Sequence, residues 1–110
     1  MEFGKRLREL RKEKRYTLRS LADRVGVGFT YLSKIENHKL EEGHCPSEQL
    51  IHKLAIELNA DEDELLLLAE KVPKPIRQRV IARPDAFRIL ASLKDEDLDA
   101  LVRRATHLRR

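Results

Sequence analysis

The 110 residues carry 38% charged side chains with only four glycines and four prolines, enough chain for one small domain, or one with an appendage, around a modest core. The single cysteine, Cys45, excludes an intramolecular disulfide and suits a reducing compartment. No charged start leads into an apolar signal stretch. The longest apolar run, Leu65 to Ala69, is far short of the about 20 residues a membrane span needs, so a cytoplasmic chain with no membrane partner is expected. The formal net charge of +4 is unevenly placed: residues 1–40 carry +6, 41–72 carry −7 and 73–110 carry +5.

The first helix is expected from about Glu2 to Lys14, with Phe3, Leu7 and Leu10 as its inward stripe and Arg11 extending that side by a turn. Thr17 is a helix N-cap residue, since its hydroxyl accepts from an otherwise unpaired backbone N–H. Leu18, Leu21, Ala22 and Val25 follow at i, i+3, i+4 and i+7, one face of a short second helix that Gly26 ends. Val27 is an apolar plug between helices, and Gly28 opens a third helix running to about Asn37. Leu32 and Ile35 are its buried side, which leaves Phe29, Thr30, Ser33 and Lys34 on another face. Two short helices joined by a tight turn, the second sized for a major groove about 12 Å wide, form a helix-turn-helix.

Leu21-Ala22, Gly26-Val27, Tyr31-Leu32-Ser33 and Ile35-Glu36-Asn37 together resemble the Cro/C1-type helix-turn-helix family, also called the XRE family, and the resemblance runs from about Phe3 to about Ala69. It implies a five-helix domain that reads DNA with helix 28–37. The basic N-terminal block is what phosphate neutralisation requires. The resemblance also implies a largely buried ion pair between Arg11 and Glu36 that orients the recognition helix. The chain departs from the pattern at Arg15, where glycine is common, and at Leu18, where a glutamine often touches the DNA backbone. Arg19 or Ser20 is expected to replace that contact. Thr30 and Ser33 can hydrogen-bond base edges, Thr30 can also meet a thymine methyl, and Lys34 can reach a guanine or a phosphate. Phe29 either packs on thymine methyls or folds back into the core. Tyr31 matches a position that usually packs inward near the phosphates, and Asn37 and Lys39 match phosphate contacts. With Thr17, Gly28 and His38 these residues make up the expected DNA-facing set.

The stretch from His38 to Pro46 is longer than the corresponding family loop, and Glu41 and Glu42 must loop away from DNA. His38, His44, Cys45 and His52 do not have zinc-finger spacing, so no metal is expected. No nucleophile–base arrangement or phosphate-cradling glycine loop is present either, so neither enzyme activity nor a cofactor is expected. Ser47 caps a fourth helix, to Leu58, with Leu50, Ile51, Leu54, Ala55 and Leu58 inward. Asp61 with Glu64 forms a capping box for a fifth, from Asp61 to about Lys71, and the acidic Asp61–Glu64 cluster suits a helix N-terminus.

Val72-Pro73-Lys74-Pro75 breaks the pattern, dividing a DNA-binding domain, 1–71, from a helical segment, 72–110. That segment reads as helices over Ile76–Arg83, stopped by Pro84, then Asp85–Leu93 and Asp95 to about Leu108. Three amphipathic helices in so short a stretch cannot bury their apolar faces alone. The expected architecture is all-α: a five-helix domain and a short helical dimerisation segment whose seam is Phe87, Leu90, Leu98, Leu101 and Leu108. The expected function is sequence-specific regulation of transcription, with repression the expected sign, by a homodimer on a palindromic site in double-stranded DNA. The alternative is an antitoxin-type protein whose residues 72–110 bind a partner toxin or are cut by a regulatory protease.

Overall fold

A computed structural model of the chain describes residues 2–41 and 44–109; Glu42 and Gly43 of the long loop lie outside the described residues. Among the described residues there are eight helices and no strand. The chain divides into two units, Met1–Pro73 and Lys74–Arg110, two residues beyond the boundary expected from the sequence.

The first unit holds α1 (Glu2–Glu13), α2 (Leu18–Val25), α3 (Phe29–Glu36), α4 (Glu48–Leu58) and α5 (Glu62–Leu68). Its core is the set of inward stripes: Phe3, Leu7 and Leu10 of α1, Leu21, Ala22 and Val25 of α2, Leu32 and Ile35 of α3, with Leu50, Ile51, Leu54, Ala55 and Leu58 of α4 and Leu65 and Leu66 of α5. Val27, in the turn, packs on that core as a half-buried plug. α1 packs on α3 and α5, and α2 packs on α3 and α4, so the second and third helices are held against the rest of the bundle. Gly4 lies where α1 meets α3, and a Cβ added to it would stand 2.4 Å from the Ile35 carbonyl oxygen and 2.9 Å from that of Glu36.

The starts of α2, α4 and α5 follow from side-chain capping. The Thr17 hydroxyl accepts from the Ser20 amide while the Ser20 hydroxyl accepts from the Thr17 amide, satisfying two orphan donors reciprocally. The Ser20 hydroxyl also donates to the Thr17 carbonyl at 3.1 Å, so its hydrogen bonds are engaged at the start of its own helix. Ser47 caps α4 through the Leu50 amide. At α5, Asp61 accepts from the Asp63 and Glu64 amides, but Glu64 turns to α1 and accepts from Arg6 Nε at 3.1 Å. That hydrogen bond holds the Arg6 guanidinium pKa above even its high ordinary value.

The helix ends share one device. After each helix of this unit a single residue turns left-handed: Arg15 (φ 59°), Gly26 (75°), His38 (58°), Asn59 (52°) and Glu70 (60°). The amide one residue further on then bonds back across the last turn, as from Tyr16 to the Arg11 carbonyl, Val27 to Ala22, Lys39 to Lys34, Ala60 to Ala55 and Lys71 to Leu66. This is the Schellman arrangement, which satisfies carbonyls that a helix end leaves unpaired. Only one of the five positions is glycine. The Glu70 turn also explains why α5 stops at Leu68, short of the expected Lys71.

The second unit contains α6 (Lys74–Ala82), α7 (Pro84–Ser92) and α8 (Asp95–Leu108), with α6 in contact with α7. α6 ends at Ala82, before Pro84, as expected, and Pro84 itself opens α7, whereas Pro75, expected to break the pattern, lies in the first turn of α6; at both positions proline's missing N–H costs no intrahelical bond. No described residue of this unit is fully buried. Phe87, Leu90 and Leu98 of the expected seam are half-buried, whereas Leu101 and Leu108 are exposed together with Ile76, Val80, Ile81, Ile89 and Val102. No helix of the described residues is long and apolar enough to cross a membrane.

Candidate nucleic-acid interface

The eight residues of α3 make a rod about 12 Å long at 1.5 Å per residue, and its diameter of about 10–12 Å with side chains fits a DNA major groove about 12 Å wide. What fixes its orientation is a three-way junction on Arg11. Arg11 donates from Nε to Glu36 Oε2 at 2.7 Å and from Nη2 to Glu36 Oε1 at 3.0 Å, a bidentate fork that constrains angle as well as distance. Its Nη1 donates to the Tyr16 carbonyl at 2.9 Å. One guanidinium thus joins α1, the α1–α2 connection and the end of α3. The Glu36 side chain is 2% exposed and that of Arg11 12%, so the pair is desolvated. At such burial each charge depends on the other.

The outer side of α3 carries the polar set. Gly28, at the N-cap, has no side chain to cap the helix and leaves the approach to its first turn open. Thr30, Lys34, Asn37, His38 and Lys39 are exposed, and Thr17 stands exposed at the start of α2. Ser33 is half-buried. The Asn37 side-chain amide turns back to donate to the Ser33 carbonyl at 2.9 Å, with Ser33 Oγ at 3.4 Å, bracing the helix end. Tyr31 is exposed rather than packed inward, because Leu32 and Ile35 already occupy the core side. A groove of about 790 Å³ runs between α3 and the loop after it, lined by Gly28, Thr30, Tyr31, Lys34, Lys39, Leu40, Glu41, His44 and Cys45.

Phe29 points outward, 40% exposed, and does not join the core. The Arg19 guanidinium lies over its ring, 4.8 Å from the centroid. A second stack sets Arg24 over Tyr16 at 4.7 Å, with Arg24 also 3.8 Å from Glu57. Neither stack is visible in the sequence, since each joins residues on different elements. Leu18 is half-buried against the core and presents no polar group to this face. His44 and Cys45 are exposed in the loop, while His52 hydrogen-bonds Glu62 at 2.6 Å on the α4–α5 side. Among the described residues no three His, Cys, Asp or Glu side chains come together as metal ligands would.

A family model described as a helix-turn-helix domain matches residues 4–71, more than half of the chain. The chain belongs to this helix-turn-helix family. It is 38% identical over 64 residues to the HTH-type transcriptional regulator SinR of Bacillus subtilis (strain 168), which covers 58% of this chain and 55% of SinR. It thus spans about half the length of the SinR relatives it matches. It is also 31% identical over 109 residues to the uncharacterized HTH-type transcriptional regulator RghRB of the same organism, covering 96% of this chain and 71% of that one. The crystal structure of the master regulator for biofilm formation SinR in complex with DNA superposes with a TM-score of 0.52 at 38% identity, covering 58% of this chain and 97% of that chain. The matched helix-turn-helix region contains Arg11, Glu36 and every residue of α3.

Proposed function

We infer that this helix-turn-helix chain regulates transcription, as a repressor, by binding double-stranded DNA as a homodimer with α3 in the major groove. The observation that carries the reading is the presentation of α3. Its inner side is core, its end is forked to α1 through Arg11 and Glu36, and its outer side offers Thr30, Lys34 and, just beyond, Lys39 to a polyanion. One eight-residue helix reads only a few base pairs, whereas two related by a two-fold axis read half-sites one turn, about 34 Å, apart. The exposed and half-buried apolar residues of α6 to α8 supply the pairing surface, with Phe87, Leu90, Leu98, Leu101 and Leu108 in the seam. The protein works in the cytoplasm, without cofactor or metal.

The 110-residue chain is used to enrich duplexes from a randomised pool, and fluorescence anisotropy then compares the enriched duplex with a scramble over a salt series. The reading expects a palindromic consensus bound at about 10⁻⁸ M or tighter near physiological salt, roughly 10³-fold ahead of the scramble. Equal, weak and steeply salt-dependent binding to both duplexes would sink it. In that event the exposed apolar surface of the second unit favours the other reading, in which residues 72–110 hold a partner protein such as a toxin, or present the cleavage site of a regulatory protease.

A further inference from the structure

Phe29 is an unusual residue to find outward on the first turn of a DNA-facing helix, because a large aromatic is ordinarily drawn inward. Two features keep it out. The inward positions of α3 are filled by Leu32 and Ile35, both fully buried. The Arg19 guanidinium covers the ring at 4.8 Å. A cation over an aromatic face at an exposed site favours the stacked arrangement by about two- to fivefold. No carboxylate of the described residues pairs with Arg19, so stacking leaves its charge and the N–H groups at its edge unspent. The pair therefore joins an apolar plate and a cation, one from each helix of the motif, next to Gly28, where no side chain obstructs approach.

Few features of a duplex match both halves. Along the major groove the apolar group on a base edge is the 5-methyl of a pyrimidine, and the neighbouring phosphates are anionic. We propose that the Arg19–Phe29 stack is a specificity element that reads a 5-methylpyrimidine in each half-site, Phe29 packing on the methyl while Arg19 holds the ring and engages the adjacent backbone. The proposal rests on the DNA-binding reading above and adds what the first turn of α3 selects. Thymine and 5-methylcytosine present the same methyl, and the test separates them.

Beginning from the enriched duplex, each thymine is replaced singly by deoxyuridine, which removes the methyl and nothing else, and each cytosine singly by 5-methylcytosine. Affinities are measured for the full chain and for Phe29→Ala and Arg19→Ala. A thymine reader loses about fourfold at one thymine per half-site, the worth of one buried methyl, and about fifteenfold when both half-sites are changed. A methylcytosine reader shows a flat deoxyuridine scan and a gain of similar size at one cytosine. Either pattern supports the proposal only if it disappears in Phe29→Ala and shrinks in Arg19→Ala. A duplex bound specifically but with no methyl dependence, or a methyl effect that persists in Phe29→Ala, overturns the proposal and leaves the DNA-binding reading standing. Failure to enrich any duplex over scramble overturns both.

Discussion

Replacing Gly4 by alanine should weaken this protein, although helix propensity alone says the reverse. Alanine in a helix interior is favoured over glycine by about 1 kcal/mol. Here the added Cβ would lie 2.4 Å from the Ile35 carbonyl oxygen, 2.9 Å from the Glu36 carbonyl oxygen and 3.1 Å from the Glu36 carbonyl carbon. Non-bonded heavy atoms rest at about 3.5 Å or more, so roughly 1 Å of separation must be recovered between two backbones. Neither side has a flexible tip to swing away. Overpacking costs about 1–3 kcal/mol where side chains can adjust, and a backbone contact belongs at or above the upper end. After the propensity gain, a net loss of about 2 kcal/mol remains. For a domain of 60–100 residues that is a fall in Tm of roughly 8–16 °C. Thermal melts of the full chain followed by far-UV circular dichroism would measure it. The displaced atoms end α3, so DNA affinity measured well below the new Tm should fall as well. A variant that melts at or above the parent temperature would refute the close approach of α1 to the end of α3.

The Arg11–Glu36 fork predicts asymmetric losses. Arg11→Ala strands a carboxylate whose side chain is 2% exposed, costing about 3–5 kcal/mol in urea denaturation, whereas Arg11→Met combined with Glu36→Leu should recover most of it. Equal losses in the single and double variants would contradict a desolvated pair. Arg15→Gly should raise Tm by roughly 4–8 °C, since a left-handed non-glycine residue costs about 1 kcal/mol or more; a lower Tm would show that Arg15 does not hold φ near 59° in solution. Lys34→Ala and Lys39→Ala should each lower the slope of log affinity against log salt by about 1 per protomer, and an unchanged slope would remove that lysine from the phosphate contacts. A fragment ending at Pro73 keeps every fully buried residue among those described and should melt cooperatively, yet bind a two-half-site duplex no better than a single half-site. Retained preference for the full site would place pairing within the first unit.

What the sequence revealed and what it concealed divide along a physical line. The stripes Phe3/Leu7/Leu10, Leu18/Leu21/Ala22/Val25 and Leu32/Ile35 were legible because each belongs to a single helix and repeats with its 3.6-residue period, and all of these residues are core except Leu18, which is half-buried against it. Thr17, Ser47 and Asp61 were legible as caps for the same reason, since each bonds an amide two or three residues away. The Glu64 half of an expected capping box was not legible, because Arg6, 58 residues distant, offers it a charged donor. Gly4 carried a faint signal, a glycine inside an amphipathic helix, but nothing local says which backbone it must admit. Pro84 is legible as the stop of α6, but that it also opens α7, and that Pro75 lies inside the first turn of α6, is not, because one residue separates stopping a helix from starting one.

The same line runs through the candidate site. Thr30 and Lys34 could be assigned outward from period, and Lys39 from the family resemblance, yet the Arg19–Phe29 stack could not, because the two residues lie on separate helices. Left-handed turns at Arg15, His38 and Glu70 are likewise unmarked by composition. Together these turns hold a recurring helix end in place with side chains that do not prefer it, so packing of the helices, not turn chemistry, sets where each one stops. His38 and Lys39 show the consequence for function. The left-handed turn at His38 lets the Lys39 amide bond the Lys34 carbonyl at 2.8 Å, which brings Lys39 back beside Lys34 on one wall of the groove. Two cations of the expected phosphate-contacting set are thus placed by a backbone conformation that histidine adopts only at a cost. His38→Gly should therefore preserve or raise stability and leave the Lys34–Lys39 wall intact, whereas His38→Val, β-branched and averse to positive φ, should lower Tm and DNA affinity together.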